Sequence, residues 1–172
     1  MLTKLIIPKD ISFRQKLYDH IKLREGYKSV VYLDTLGKPT GGIGHLLSKE
    51  EKRMYPVACP LKESVIKEWY DSDIQKSLDA CNKQCKVLNI FDTDFKIALT
   101  SVNFQLGTRW YKKFPAAWHA LCHGEYDKAI NEIMYANKEE ERYSRWYKQT
   151  PVRVKDFVEA IKNIKEIDNG SR

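Results

Sequence analysis

The helical repeat that opens the chain stops at Gly26, and the residues after it read as strand, turn and strand. Ser12-Phe-Arg-Gln15 has the form of a capping box, and Phe13, Leu17 and Ile21 recur behind it at helical spacing. The pattern predicts a helix running to about Arg24-Glu25, with Gly26 as the residue that ends it. Ser29 to Leu33 is short and rich in β-branched and aromatic residues. Asp34-Thr-Leu-Gly37 carries turn chemistry, and Lys38 to Gly42 returns, completing a small hairpin. A helix handing over directly to a hairpin, with helical patterns everywhere else, places the chain in the α+β class.

Ser48-Lys-Glu-Glu51 caps a short second helix, and Pro56 and Pro60 bracket a loop. From Lys62 to about Lys83, Val65, Ile66, Trp69, Ile74, Leu78 and Cys81 keep helical period. A helix that long spans roughly 30 Å, enough to bridge two lobes. Further helices are expected from Phe95 to Leu106 (ending at Gly107), Ala116 to Cys122 (ending at Gly124) and Tyr126 to Ala136. The last opens with Thr150 as cap and Pro151 at its first position, burying Val154, Phe157, Val158, Ile161 and Ile164. The expectation is one domain over residues 1–172. It has a small lobe at about 26–60, an interlobe helix at about 62–83, and a helical lobe at about 84–165 that includes the N-terminal helix.

The 172 residues suffice for a sizeable core, and 42% hydrophobic with 31% charged residues is ordinary for a globular chain. A net charge of +7 favours an anionic partner: nucleic acid, a membrane surface or an acidic wall polymer. No RNP, zinc-finger or helix-turn-helix pattern supports nucleic acid. Met1-Leu-Thr-Lys-Leu-Ile-Ile-Pro8 is too short for a signal-peptide core, and no run downstream could span a bilayer. The product is therefore expected to appear in the cytoplasm, without stable membrane insertion, and a monomer is expected as well. Cys59, Cys81, Cys85 and Cys122 are scattered, so free thiols are expected, with no metal and no cofactor. Cys81 and Cys85 have the spacing of one helix face.

The chemistry concentrates in the helix end and hairpin. Glu25 and Asp34 are two carboxylates in different settings, and Thr40 adds a hydroxyl on the returning strand. Cleaving a glycosidic bond needs an acid on one side and a water activator on the other. The negative end of the helix macrodipole favours a protonated Glu25, while Arg24 favours the carboxylate. Asp34 would ordinarily be a turn former bonding its own backbone, and it can serve in both capacities. Gly42 and Gly44 suit tight turning or close approach.

Glu25-Gly26, Tyr32-x-Asp34-x-x-Gly37-x-x-Thr40-x-Gly42-x-Gly44-His45 resembles the active-site segment of T-even-type phage lysozymes, endolysins of glycoside hydrolase family 24. Phe104-Gln105-x-Gly107 and Ser144-Arg-Trp-Tyr-Lys-Gln-Thr-Pro151 with Arg153 resemble two further family segments, in the same order. The likeness runs from about residue 13 to 165. It implies a lysozyme-like fold and hydrolysis of the β-1,4 bond between N-acetylmuramic acid and N-acetylglucosamine in bacterial peptidoglycan.

By the same resemblance Glu25 is the general acid, and Asp34 and Thr40 hold and activate water for an inverting attack. The carboxyls would then stand roughly 6.5–9.5 Å apart. Leu46, Phe104, Gln105 and Arg145 match substrate-contacting positions, with Gln149 and Thr150 reinforcing the Arg145 wall and Trp146 packing. His45 matches a structural histidine whose partner would be Asp71. The resemblance also implies release by a holin before the enzyme reaches the wall. Two family sugar-binding positions fall on Ala117 and near Asn131-Glu132, where this chain departs from the pattern. Asn137-Lys-Glu-Glu-Glu-Arg-Tyr143 reads as an insertion, and about a dozen residues extend the N-terminus. Three rival classes are weaker. A lytic transglycosylase needs no aspartate-held water, a wall-binding module needs no acid/base set, and a nucleic-acid binder rests on charge and aromatics alone.

Overall fold

The structure is a computed structural model that describes residues 9–170, with side chains from Ser12 onward. Helix α1 (Lys9–Glu25) leads into strands β1 (Lys28–Leu33), β2 (Pro39–Gly42) and β3 (His45–Leu46), then α2 (Lys49–Met54) and the long α3 (Glu63–Leu88). Next come α4 (Thr93–Leu106), a 3-10 turn at Trp110–Lys112, α5 (Pro115–Cys122) and α6 (Tyr126–Met134). Strands β4 (Tyr135–Asn137) and β5 (Arg142–Tyr143) precede α7 (Arg145–Gln149) and α8 (Pro151–Gly170). The fold is α+β, as expected from the sequence. The chain divides into two compact units that join in sequence at Gln75 and Lys76, inside α3.

In the first unit the sheet is antiparallel in the order β1-β2-β3, with Tyr32 opposite Thr40 and Thr40 opposite Leu46. The two-residue β3 is too short to show alternation in sequence, and it extends the expected hairpin. The bare backbone of β2 comes close to its neighbours. A Cβ on Gly42, at φ +59°, would stand 2.8 Å from Ile66 Cγ2, and one on Gly41 would stand 2.7 Å from Leu61 Cδ1. Val31, Ile43, Leu47, Leu61, Ile66 and Trp69 are buried here. The free edge of β1 is covered: Val31 N–H donates to the Cys59 carbonyl at 3.0 Å and Leu61 N–H to the Ser29 carbonyl at 2.8 Å.

Three expectations for this unit need correction or placing. Helix α1 runs back through Ser12 to Lys9, so Ser12 is not its cap. It also belongs to the first unit and not to the helical lobe. Its Tyr18 ring meets Tyr70 of α3 edge-on at 4.9 Å, which ties it to the first half of that helix. The stretch Met1–Pro8 lies outside the described residues. The Ser48 capping box is present with both bonds: Glu51 N–H to Ser48 Oγ at 3.2 Å and Ser48 N–H to Glu51 Oε2 at 2.7 Å.

The second unit gathers its core around Phe157, whose ring lies 5.6 Å from Trp110, 5.9 Å from Phe95 and 6.4 Å from Trp146. Through the core runs a polar seam. Gln84 and Asn103 exchange amide hydrogen bonds at 2.9 and 2.8 Å, Gln84 also donates to the Thr108 carbonyl, and Trp110 Nε1 donates to Gln84 Oε1. Buried amides without such partners would be costly, so the seam fixes how α3 and α4 meet. Pro151 opens α8 as the sequence indicates, and the Thr150 carbonyl accepts the Val154 N–H at 3.2 Å.

Helix α6 stops at Met134, short of the expected Ala136. Tyr135 and Ala136, expected as the end of that helix, are strand instead: Tyr135–Asn137 pairs with Arg142–Tyr143, so the inserted segment forms a hairpin. The rings of Tyr135, Tyr143 and Tyr147 stack in succession, with centroids 5.1 and 4.5 Å apart. All four cysteines are free thiols, with Cys81 and Cys85 buried and their sulfurs 3.8 Å apart. Among the described residues no helix is long and apolar enough to cross a membrane.

Adding a methyl at Gly42 both strains a positive φ and forces Ile66 aside. Gly42→Ala should lower unfolding free energy by about 1–3 kcal/mol, read as a drop in the urea midpoint at unchanged slope.

Candidate functional site

Asp34 sits at the head of the β1–β2 turn, and the turn organises its carboxylate. Oδ1 accepts the backbone N–H of Leu36 and of Lys38, each at 2.8 Å. The Gly37 N–H closes the turn on the Asp34 carbonyl at 2.9 Å, with Gly37 at φ +72°. This is a three-residue hairpin loop ending in a left-handed glycine. With Oδ1 committed twice, Oδ2 is the oxygen left for other chemistry.

Thr40 is tied to the same turn. Its hydroxyl donates to the Lys38 carbonyl at 3.1 Å, and that carbonyl also takes the Asp34 N–H at 2.9 Å. The turn thus couples Asp34 and Thr40, and Thr40 is only 4% exposed. Leu46, opposite Thr40 on β3, is by contrast 51% exposed. Glu25 is the last residue of α1, half-buried, and the Gly26 N–H caps the turn behind it on the Lys22 carbonyl at 3.0 Å. Glu25, Asp34, Thr40 and Leu46 all belong to the first unit.

Phe104, Gln105 and Arg145 belong to the second. Phe104 and Gln105 are half-buried in the last turn of α4, which Gly107 closes. Gln105 is held at both ends of its amide: Nε2 donates to Thr150 Oγ1 at 2.9 Å, and Oε1 accepts from Trp146 Nε1 at 3.1 Å. Trp146 is buried, as expected, and Arg145 beside it is exposed at the start of α7. Ala117 is fully buried in the core, so it offers a ligand nothing. Among the described residues no cluster of three or more His, Cys, Asp or Glu could hold a metal ion. A surface groove of about 460 Å³ beside His123, Tyr126, Asp127, Lys165 and Asp168 includes none of the residues singled out from sequence.

A family model described as phage lysozyme matches residues 22–149, nearly three quarters of the chain. The chain belongs to the phage lysozyme family. It is 27% identical over 163 residues to the pre-baseplate central spike protein Gp5 of Enterobacteria phage T4, covering 84% of this chain and 27% of that protein. It is 24% identical over 157 residues to a probable T4-type lysozyme 2 of Dictyostelium discoideum, covering 80% of this chain and 88% of that protein. The chain thus spans only about a quarter of the first relative and most of the second. The match contains Glu25, Asp34, Thr40, Leu46, Phe104, Gln105 and Arg145, while Thr150 and Arg153 lie beyond its end.

His45, which follows the lysozyme glycine segment, is the hub of the small sheet. Its Nδ1 lies 2.8 Å from Asp73 Oδ2 and its Nε2 lies 3.1 Å from Glu51 Oε2, while the ring stacks on Trp69 at 4.5 Å. The expected partner was Asp71. Asp71 instead pairs along the helix with Lys67 at 3.5 Å. Two residues along a helix turn through about 200°, so only Asp73 can face His45 when Asp71 faces solvent. Glu51 was legible as a helix cap but not as a second carboxylate for His45.

Burial pulls the His45 pKa down, but the bonds and charges of Asp73 and Glu51 outweigh it and the net shift is upward. Burial pushes Glu51 up, yet its bonds to Ser48 and His45 leave it lowered. The raised His45 stabilises fully below its unfolded value of about 6.5, and that contribution is lost as pH rises through the higher folded value. The lowered Glu51 stabilises above about 4.3 and is lost as pH falls through its folded value. Melting temperature should therefore decline above pH about 6.5 in the native protein, and less steeply in His45→Phe. Asp73→Asn should cost about 1–3 kcal/mol at pH 6, measured by denaturant unfolding.

Proposed function

We propose that this chain is a muramidase: it hydrolyses the β-1,4 bond between N-acetylmuramic acid and N-acetylglucosamine in peptidoglycan. Glu25 protonates the departing glycosidic oxygen. Asp34 and Thr40 hold and activate the water that attacks from the opposite face, with inversion at the anomeric carbon. Leu46, Phe104, Gln105 and Arg145 contact the glycan. The observation that carries this reading is the Asp34 turn. One carboxylate oxygen is fixed by two backbone donors and the other is left to orient water, so little reorganisation is needed during reaction.

As an endolysin the chain would act as a monomer, accumulate in the host cytoplasm, and reach the periplasmic wall once a holin opens the membrane. The likeness to a spike protein favours a second delivery route for the same chemistry, as the wall-cutting part of a phage particle. Mass spectrometry of purified particles separates the two: the endolysin role requires the chain to be missing from them.

The acid/base pair is tested with shape-preserving variants. In Asp34→Asn the amide oxygen can still accept both turn bonds, so the fold should survive while the base is gone. Glu25→Gln likewise keeps volume and removes the proton. Each should slow turbidity loss of purified peptidoglycan by about 10²–10⁴-fold at unchanged melting temperature, with free reducing ends as the wild-type product. Ends of the 1,6-anhydro type would exclude hydrolysis in favour of a transglycosylase, and full lysis by Glu25→Gln would exclude catalysis by this site. With a net charge of +7 drawing the enzyme to an anionic wall, activity should fall as salt shortens the Debye length below about 10 Å.

A further inference from the structure

Resting on the proposed muramidase reading, we infer that Lys28, held over the ring of Tyr32, is a specificity-determining contact for the carboxylate-bearing peptide stems of the substrate. In the sheet register Tyr32 lies directly opposite Thr40, and Thr40 directly opposite Leu46, so the three side chains share one face across β1, β2 and β3. Asp34 follows Tyr32 by two residues, just past the end of that strand. Tyr32 therefore adjoins both members of the proposed water-holding pair, opposite Thr40 and two residues before Asp34.

A bulge brings a cation onto this face. Lys28 pairs with Gly42 and Tyr32 with Thr40, so β1 carries two extra residues between those rungs. In a regular strand residues four apart are separated by about 13 Å. The bulged strand curls, and the Lys28 ammonium sits 4.8 Å from the Tyr32 ring centroid. Lys28 is exposed and Tyr32 half-buried, so the ring anchors the ammonium while water, or a ligand, reaches its other side.

Across Glu25-Gly26 the arrangement repeats, with Lys22 lying 4.2 Å from the ring of the exposed Tyr27. No carboxylate among the described residues forms an ion pair with Lys28. A cation lacking an acidic partner and held against the ring that lies opposite Thr40 suits an anionic group on a sugar substituent. Muramyl residues carry such groups on their peptide stems.

The test measures kcat/KM on two substrates, both sacculi freed of phosphate polymers: one with its stem carboxylates intact, the other with them amidated. The native enzyme should prefer the charged wall. Lys28→Ala should shrink that preference about three-fold, and Lys28→Arg should retain it. Tyr32→Phe keeps the ring face and should keep the preference, whereas Tyr32→Leu should weaken it. A preference unchanged in Lys28→Ala, or equally kept by Tyr32→Leu, overturns the assignment while leaving the muramidase reading intact. A preference seen only when phosphate polymers are left on the wall overturns it too. No cleavage of either wall by the native protein overturns both.

Discussion

The close approach of β2 to the buried side chains beneath it is the constraint on which the first unit depends. At Gly41 and Gly42 there is room for backbone only, because Leu61, Ile66 and Trp69 occupy the space where a Cβ would stand. That contact sets the height of the strand. The strand in turn sets Thr40, whose hydroxyl and the Asp34 amide converge on the Lys38 carbonyl. Displacing the sheet by even a few tenths of an ångström would move Thr40 and the Asp34 turn together, since packed interiors transmit strain rather than absorb it. The histidine hub acts in the same direction, clamping β3 to α2 and α3 through two carboxylates and an indole ring.

The second unit uses different means. Its core is aromatic, centred on Phe157, and is crossed by an amide seam in which Gln84 satisfies Asn103, Thr108 and Trp110 together. Buried amides with all their valences filled specify one arrangement of helices, because any slip leaves a donor without a partner. The Trp146–Gln105–Thr150 chain extends that logic to the surface and fixes a glutamine that would otherwise be free to rotate.

Signals confined to a few neighbouring residues were readable in advance. The Ser48 box, the Thr150-Pro151 helix start, the Asp34 turn and the Gly26 stop are each decided by local hydrogen bonding. What could not be read depends on contacts distant in sequence. Asp71 and Asp73 are equivalent as letters, and only the rotation of α3 chooses between them. At Tyr135 and Ala136 strand pairing and stacked tyrosines outweighed the helical pattern that leads up to them. Ser12 looked like a cap, but the helix continued through it, since a capping sequence permits a start without requiring one. Of the candidate site, the Asp34 turn was legible; the sharing of the Lys38 carbonyl by Asp34 and Thr40, and the bulge that lifts Lys28 onto Tyr32, were not.

Asp34 is at once the keystone of its loop and, under the proposed mechanism, a reagent. A single side chain with both duties links evolvability to chemistry: lengthening the hairpin, or moving its glycine, would swing the carboxylate as well as the backbone. Drift in this loop is then filtered twice, once by folding and once by turnover. The β4–β5 hairpin carries neither member of the proposed acid/base pair, so a change of length there leaves both carboxylates where they are.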